Sequence, residues 1–425
     1  MKRIILSVFA AAVTAAWAVP ASAGDVTFSG QYRVRGEFTQ SNDYNDATTP
    51  DSDDFWTQRV RLTANAKATD DVSAKITIQD TRVFGSGLIT GVDGLDTTYF
   101  DTDSNRGANG FAVHEAYLNA NNIFGTPVNF RVGRQELVYG DERLVGAFGW
   151  GNHGRAFDAF KFTYNTDAVS IDAFTATTDE AMTFSVDTTS GAVSVPNRPF
   201  SNDDHTFSGV YATLKQLIPN NTLDVYLFHS FDGDQMTRFT AGARLKGSAA
   251  GVDYTVELPY QFGDQDVATS IGAWAFAAKA GYTLPTPMNV RVGAEYDNGS
   301  GDDNALDDKA EAFANLYPTN HMHFGIGDVI NSWTNTMAWS VNASADLNEK
   351  TKLSVAYWDY TKNEVAAGAP DDLGSEIDAI VTHKYNNAVT VEAGLAHFSP
   401  GDATSGVGNP NDPREWAYLQ ITGNF

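Results

Sequence analysis

The feature that most constrains this chain is a two-residue alternation that recurs along nearly its whole length. In VTFSGQYRVRGEF, residues 26–38, Val26, Phe28, Tyr32, Val34 and Phe38 interleave with Thr27, Ser29, Gln31, Arg33, Arg35 and Glu37. Successive residues of a strand point to opposite faces, so this segment has one apolar and one polar face. Val60, Leu62 and Ala64 alternate in the same way with Arg59, Arg61 and Thr63, and Val252, Tyr254, Val256 and Leu258 with Asp253, Thr255 and Glu257. The phrase TPVNFRVG at 126–133 returns as TPMNVRVG at 286–293, each copy putting an arginine, Arg131 or Arg291, on the polar face. The Thr-Pro before each copy is a turn signal that also suits the first position of a strand.

Counting such segments gives about eighteen strands, starting near residues 26, 55, 72, 111, 128, 155, 169, 205, 222, 237, 251, 271, 288, 333, 351, 375, 389 and 414. The segments at 111, 155 and 205 have no clean parity, so their facing stays open. Short turns follow the even strands: TDD at 69–71, NTDA at 165–168, PNN at 219–221, LPTP at 284–287 and NNA at 386–388. Longer loops rich in Asp and Gly follow the odd ones, at 40–54, 85–110, 141–154, 178–204, 298–332, 361–374 and 399–413. A water-soluble sandwich or solenoid has no reason to segregate its loops by length. A membrane barrel does, because its periplasmic turns are short and its extracellular loops long. The expected fold is therefore all-β: a transmembrane antiparallel up-and-down barrel over residues 24–425. Trp333, Trp339, Trp358, Trp416, Tyr282 and Tyr357 are candidates for its interfacial girdles.

The ends fit an exported barrel. Met1-Lys2-Arg3, the apolar run Ile4 to Val19 and the triplet Ala21-Ser22-Ala23 read as a signal peptide over residues 1–23. There is no cysteine, which removes disulfides, thiol nucleophiles and thiolate metal sites. The net charge of −25 argues against a nucleic-acid partner. The last strand, EWAYLQITGNF, ends on Phe425 and resembles the assembly signal of bacterial outer-membrane proteins, which implies that the Gram-negative assembly machinery is a partner.

One stretch is more specific: RVGRQELVYGDERLVGAFGWGNHGRAFDAFKF, residues 131–162. It resembles the alginate-export family of outer-membrane porins, whose G-R-Q … Y-G-D-x-R-L-V-G … W … G-R-x-F-D pattern falls on Gly133, Arg134, Gln135, Tyr139, Gly140, Asp141, Arg143, Leu144, Val145, Gly146, Trp150, Gly154, Arg155, Phe157 and Asp158. The segments YPTNHMHFGIGD at 317–328 and 373–402 are also similar, while about 165–310 adds little. The resemblance implies an eighteen-stranded monomeric barrel, in agreement with the strand count.

Ten of the sixteen arginines lie between residues 33 and 155. Consecutive strands of an up-and-down barrel are neighbours, so these arginines build mostly one wall. Asp224, Asp253, Glu257, Glu295, Glu376, Asp378 and Glu392 fall on later strands. The expected pore-lining set is Arg33, Arg35, Arg59, Arg61, Arg131, Arg134, Arg143, Arg155, Asp158, Arg244, Arg291 and Glu295. Solute contact and internal ion pairing are both open for the arginine rows. Arg134, Arg143, Arg155, Asp141 and Asp158 also flank the loop 141–154, where they would pin it into the lumen.

No enzyme, cofactor or metal site is expected. The DDH at 203–205 and HMH at 321–323 put neighbouring side chains on opposite faces and have no third ligand or nucleophile motif. The acidic loops NDYNDATTPDSDD, SNDD, DNGSGDDNALDD and PDD read as solvated, with Ca²⁺ bridging to lipopolysaccharide as the functional alternative. The expected function is a passive outer-membrane channel for hydrophilic anions, including uronate-containing saccharides. A general diffusion porin with weak or cation selectivity is one alternative, and a loop-mediated adhesin or structural barrel is another. Expected partners are membrane lipid, lipopolysaccharide and the solute, with the protein working as a monomer.

Overall fold

The computed structural model describes residues 25–47, 52–84, 110–179, 185–186, 193–194, 205–233, 236–304 and 306–425. The signal peptide, Arg106 and the acidic stretch 201–204 lie outside them. Eighteen long strands form, each starting within three residues of its expected position. The first nine are β1 (Val26–Gln40), β2 (Ser52–Lys67), β3 (Val72–Val83), β4 (Gly110–Ala120), β5 (Val128–Gln135), β6 (Phe157–Asn165), β7 (Val169–Asp179), β8 (His205–Leu214) and β9 (Asn221–Asp232). The others are β10 (Thr237–Ala249), β11 (Val252–Asp264), β12 (Ser270–Thr283), β13 (Arg291–Gly299), β14 (Thr336–Asn348), β15 (Thr351–Lys362), β16 (Asp372–Lys384), β17 (Val389–Pro400) and β18 (Arg414–Asn424).

Each strand pairs antiparallel with the next, and β18 returns to β1 in a register running from Gln31 opposite Asn424 to Gln40 opposite Glu415. Closure satisfies the backbone without leaving an edge, the only way a sheet can cross hydrocarbon. Phe425 finishes the seam. Its amide donates to the Gly30 carbonyl at 3.0 Å and its carbonyl accepts from the Gly30 amide at 2.6 Å. Its ring occupies the space that a Gly30 side chain would need.

The outward parity carries exposed Tyr32, Leu62, Ile76, Phe162, Leu258 and Ile377. So continuous an apolar surface far exceeds what a water-soluble monomer shows and marks the lipid face. Trp339 and Tyr357 pair on this face with ring centroids 5.4 Å apart, and Tyr282 is exposed there too. Trp333, Trp358 and Trp416 are buried inside instead, so they form no girdle. Trp358 and Trp416 stand on the inward parity of their strands, and Trp333 belongs to a loop.

The repeated phrase takes two conformations. In its first copy Val128 opens β5 opposite Tyr164. In the second, Met288 and Val290 lie in a turn rather than in the expected strand, and the ladder begins only at Arg291. Asn289 adopts a left-handed φ of 46°, its side-chain amide donating to Asp346 at 2.9 Å, and Thr286 Oγ1 accepts from the Val290 amide at 3.2 Å. Asn tolerates this conformation through such local hydrogen bonds.

The hydrophobic core lies within the barrel. Two loops fold inward: the first inward loop, residues 136–156, whose inward course the sequence suggests, and a second, described over residues 300–304 and 306–335, whose inward course it does not. They meet in a parallel bridge between Val145 and Tyr317, where the Gly146 amide donates to the Tyr317 carbonyl and the Tyr317 amide to the Leu144 carbonyl, both at 2.8 Å. Leu144, Val145, Phe313 and Phe324 from the loops are buried with inward Phe157, Phe174, Phe207 and Phe228 of β6 to β9. Each such side chain contributes about 1.5–3 kcal/mol on burial, so the loops are held as part of the fold.

Candidate functional site

The loops, the basic wall and the acidic wall together form a constriction. The first inward loop reaches the basic wall with GWGNHG, residues 149–154, whose glycines leave the backbone carbonyls accessible. Arg33 donates to the Gly149 carbonyl at 2.9 Å and to that of Gly151 at 3.1 Å. Arg59 donates to the same two at 3.1 and 3.0 Å, Arg35 to the Trp150 carbonyl at 2.8 Å and Arg61 to the His153 carbonyl at 3.0 Å. Arg35 also pairs with Glu37 at 2.7 Å and lies 3.9 Å from the centre of the Trp150 ring. Arg33, Arg35 and Arg59 are buried against the loop. Arg33 and Arg59 face the lumen but grip neutral carbonyls, a third arrangement besides solute contact and acid pairing. Among the described residues neither Arg33 nor Arg59 has a carboxylate within ion-pair distance.

Across the lumen, the other end of the loop is clamped by charge. Arg143 binds Asp297 at 2.7 Å and also Glu295, all three being nearly or fully buried. Asp141 binds Arg244 and, at 2.8 Å, Lys279, while Arg244 also holds Asp224 at 2.8 Å. Burial pushes the Asp141 carboxyl upward, but its bond to Lys279 and the charges of Lys279, Arg244 and Lys246 hold it below the usual carboxylate range. Arg155 joins the loops by donating to the Gly146 and Pro318 carbonyls at 3.1 and 3.0 Å and to that of Tyr317.

Arg131 and Arg291, from the repeated phrase, face the lumen near its periplasmic end. Arg291 pairs with Asp253 at 2.6 Å. Arg131 lies 4.3 Å from the centre of the Tyr117 ring and lines a cavity of about 320 Å³ with Asn119, Asn121, Asn129, Lys161, Thr163, Ser170 and Asp172. Its guanidinium makes no ion pair among the described residues.

Arg134 and Asp158 are not pore-lining. They pair with each other at 3.0 Å on the outward face, in line with Val132 and Phe160. Parity explains this, since Arg131 and Arg134 are three residues apart and cannot share a face. The sequence carried that signal for Arg134. For Asp158 it did not, because RAFDAFKF is apolar on both faces. Lys161, Lys279, Asp172 and the inward course of the second loop escaped sequence reasoning, as lone lumenal charges have no pattern of their own.

The two histidines of HMH diverge. His321 Nδ1 lies 2.9 Å from Asp328, with its ring stacked on Trp150 at 3.7 Å, while His323 Nε2 donates to the Asp141 carbonyl at 2.7 Å. Among the described residues no cluster of three or more His, Asp or Glu is arranged to hold a metal.

Burial holds the His323 imidazole well below its ordinary value, with the charges of Arg143 and Lys279 adding to the effect against the nearby Asp141. The packed loops therefore keep His323 neutral, while a released loop binds a proton below about pH 6.5. Release gains up to about tenfold per pH unit below that point, until the packed imidazole itself titrates. The expected outcome is more frequent high-conductance openings between pH 6.5 and 5, with His323→Gln flattening the dependence. An identical pH profile for the variant in bilayer recordings would rule this out.

A family model described as alginate export matches residues 25–417. No curated protein matches the chain. Among solved structures, OccK9 (OpdG) of Pseudomonas aeruginosa is 15% identical with a TM-score of 0.62, the match covering 94% of this chain and 98% of that one. A BenF-like porin from Pseudomonas fluorescens Pf-5 is 12% identical at a TM-score of 0.61, with the same coverages of 94% and 98%. At these identities the likeness is one of fold.

Proposed function

This chain belongs to the alginate export family, and from that premise we propose that it is a passive outer-membrane channel for hydrophilic anions, uronate-containing saccharides among them. Porin-like barrel and family together imply the outer membrane of a bacterium. The observation that supports anion preference most is Arg131, a lumenal cation with no carboxylate partner among the described residues, beside the amides of Asn119 and Asn129. An unpaired charge in a narrow pore with low-dielectric walls acts strongly on passing ions, and side-chain amides complement the hydroxyls of a sugar. Arg33 and Arg59 add positive charge to the same side, behind the loop. In this reading the apolar band meets lipid and lipopolysaccharide, with Ca²⁺ able to bridge acidic loops to the latter. Phe425 is read by the assembly machinery, and the protein works as a monomer without a cofactor or catalytic step.

The test is the reversal potential of the refolded chain in planar bilayers across a KCl gradient, with and without oligouronate. Anion selectivity with saccharide block is expected. Arg131→Ala should lower the anion-to-cation permeability ratio by about two- to fivefold, the effect of one nearby charge in water. Cation selectivity without block would leave a general diffusion porin. A barrel with no conductance would point to a role carried by the loops.

A further inference from the structure

A groove of about 580 Å³ crosses the outer wall of the barrel at its seam, over β2, β1, β18, β17 and β16. The strand registers lay out its two sides. Ser52, Gln40, Glu415, His397 and Ile377 stand in one outward row, towards the ends of the strands that carry the long loops. Asp54, Phe38, Ala417, Leu395 and Ala379 form the next outward row, two residues nearer the short turns. We propose that this groove is a docking site for lipopolysaccharide, which it holds by the amide-linked hydroxyacyl chains of the lipid anchor rather than by the phosphates.

The lower row sets the shape. Phe38 and Leu395 are exposed, while Ala417 between them is small. This leaves a trough one side chain wide, and a second lies over Ala379 beyond Leu395. Five strands at a spacing of about 4.8 Å make the groove about 19 Å long, which suits an extended chain better than a compact molecule. The groove opens on the apolar face of the barrel, so its occupant is a lipid.

The polar groups decide which lipid. Gln40, Ser52, Asp54 and Glu415 are all exposed. His397 Nδ1 donates to Glu415 Oε1 at 2.5 Å, and Oε2 stands as a further acceptor. Ionised carboxylates only accept hydrogen bonds. Among the described residues no lysine or arginine lines the groove, whereas recognition of a phosphate headgroup takes a basic cluster. The groove therefore matches hydrogen-bond donors lying just beneath the headgroups. The ester region of a glycerophospholipid carries only acceptors at that depth. The hydroxyacyl amides of lipopolysaccharide bring N–H and O–H groups there, with apolar tails that continue along the trough.

The inference rests on the outer-membrane reading, and its test is independent of conductance. Refolded protein in detergent with EDTA is titrated with lipid A, phosphatidylethanolamine and phosphatidylglycerol, and the lipids retained on the barrel are counted by native mass spectrometry. One lipid A per chain is expected, with both glycerophospholipids at least about fivefold weaker, because they leave the carboxylates without donors. Ala417→Phe should weaken lipid A at least about fivefold by filling the trough. Ala343→Phe, the same change beside Val292 on the outward parity of β14, is the control and should leave retention unchanged. Glu415→Gln should weaken lipid A about three- to tenfold through the lost charge-assisted bond, and it stands in if Ala417→Phe fails to fold. Equal retention of the glycerophospholipids, or lipid A retention untouched by Ala417→Phe and by Glu415→Gln, overturns the site. So does retention that requires Ca²⁺, since that would mean phosphates bridged to the loops. Cation selectivity in bilayers would sink the anion-channel reading alone, and lipid A held no better than phosphatidylglycerol would sink this site alone.

Discussion

Replacing Arg143 with alanine is expected to raise single-channel conductance severalfold while leaving the barrel closed. Arg143 is the bond between the first inward loop and β13: it holds Asp297 at 2.7 Å and Glu295, under the Trp333 ring at 5.3 Å. Asp297 is fully buried. Removing one partner of a buried pair strands the other charge, a cost of about 3–5 kcal/mol. The cheapest relief is to let water in by detaching the loop, since the wall ladders do not depend on it. Recording conductance and protease cleavage within 136–156 checks this, with the heat-modifiable gel mobility of the barrel expected unchanged. Adding Glu295→Gln and Asp297→Asn to Arg143→Ala should recover part of the lost loop stability, because the stranded charges go with the arginine. Wild-type conductance and protease resistance in Arg143→Ala would mean that the loop is anchored by its apolar contacts alone.

The second large effect is expected from one methyl group. Gly299 ends β13 at the root of the second inward loop, and a Cβ there would overlap the backbone carbonyl of Trp333 on the loop's returning leg. A backbone atom cannot swing aside as a side chain does, so Gly299→Ala must displace that leg. Trp333 would leave its buried place, where it meets Phe313 edge to face at 5.7 Å. Overpacking of this kind costs about 1–3 kcal/mol before the lost ring contacts are counted. Red-shifted tryptophan emission and new cleavage within 300–335 are expected. Gly149→Ala is the control, since a methyl there meets nothing within 4 Å. Matching behaviour of the two variants would show that the steric argument fails.

Parity is a local property of a strand, and for that reason the wall was legible in the sequence. Val26 to Phe38 announces its faces residue by residue, and Arg33, Arg35, Arg59 and Arg61 turned inward as their alternation required. Where both parities are apolar, as around Asp158, the rule has nothing to act on. The turn before Arg291 shows a second limit, because the same letters that form a strand at 128 form a turn at 288, according to the side chain that Asn289 finds on β14.

The sequence by itself determined an eighteen-stranded barrel, the side on which its long loops lie and which strands carry the inward arginines. These follow from the two-residue period, the spacing of turn residues and the order of neighbouring strands. Only the tertiary structure decided what fills the lumen. That Arg33 and Arg59 grip carbonyls rather than acids, and that Tyr317 bridges to Val145, depend on contacts between residues 90 or more positions apart. No local pattern encodes such contacts, because they exist only once the barrel has closed and excluded water from the two loops within it.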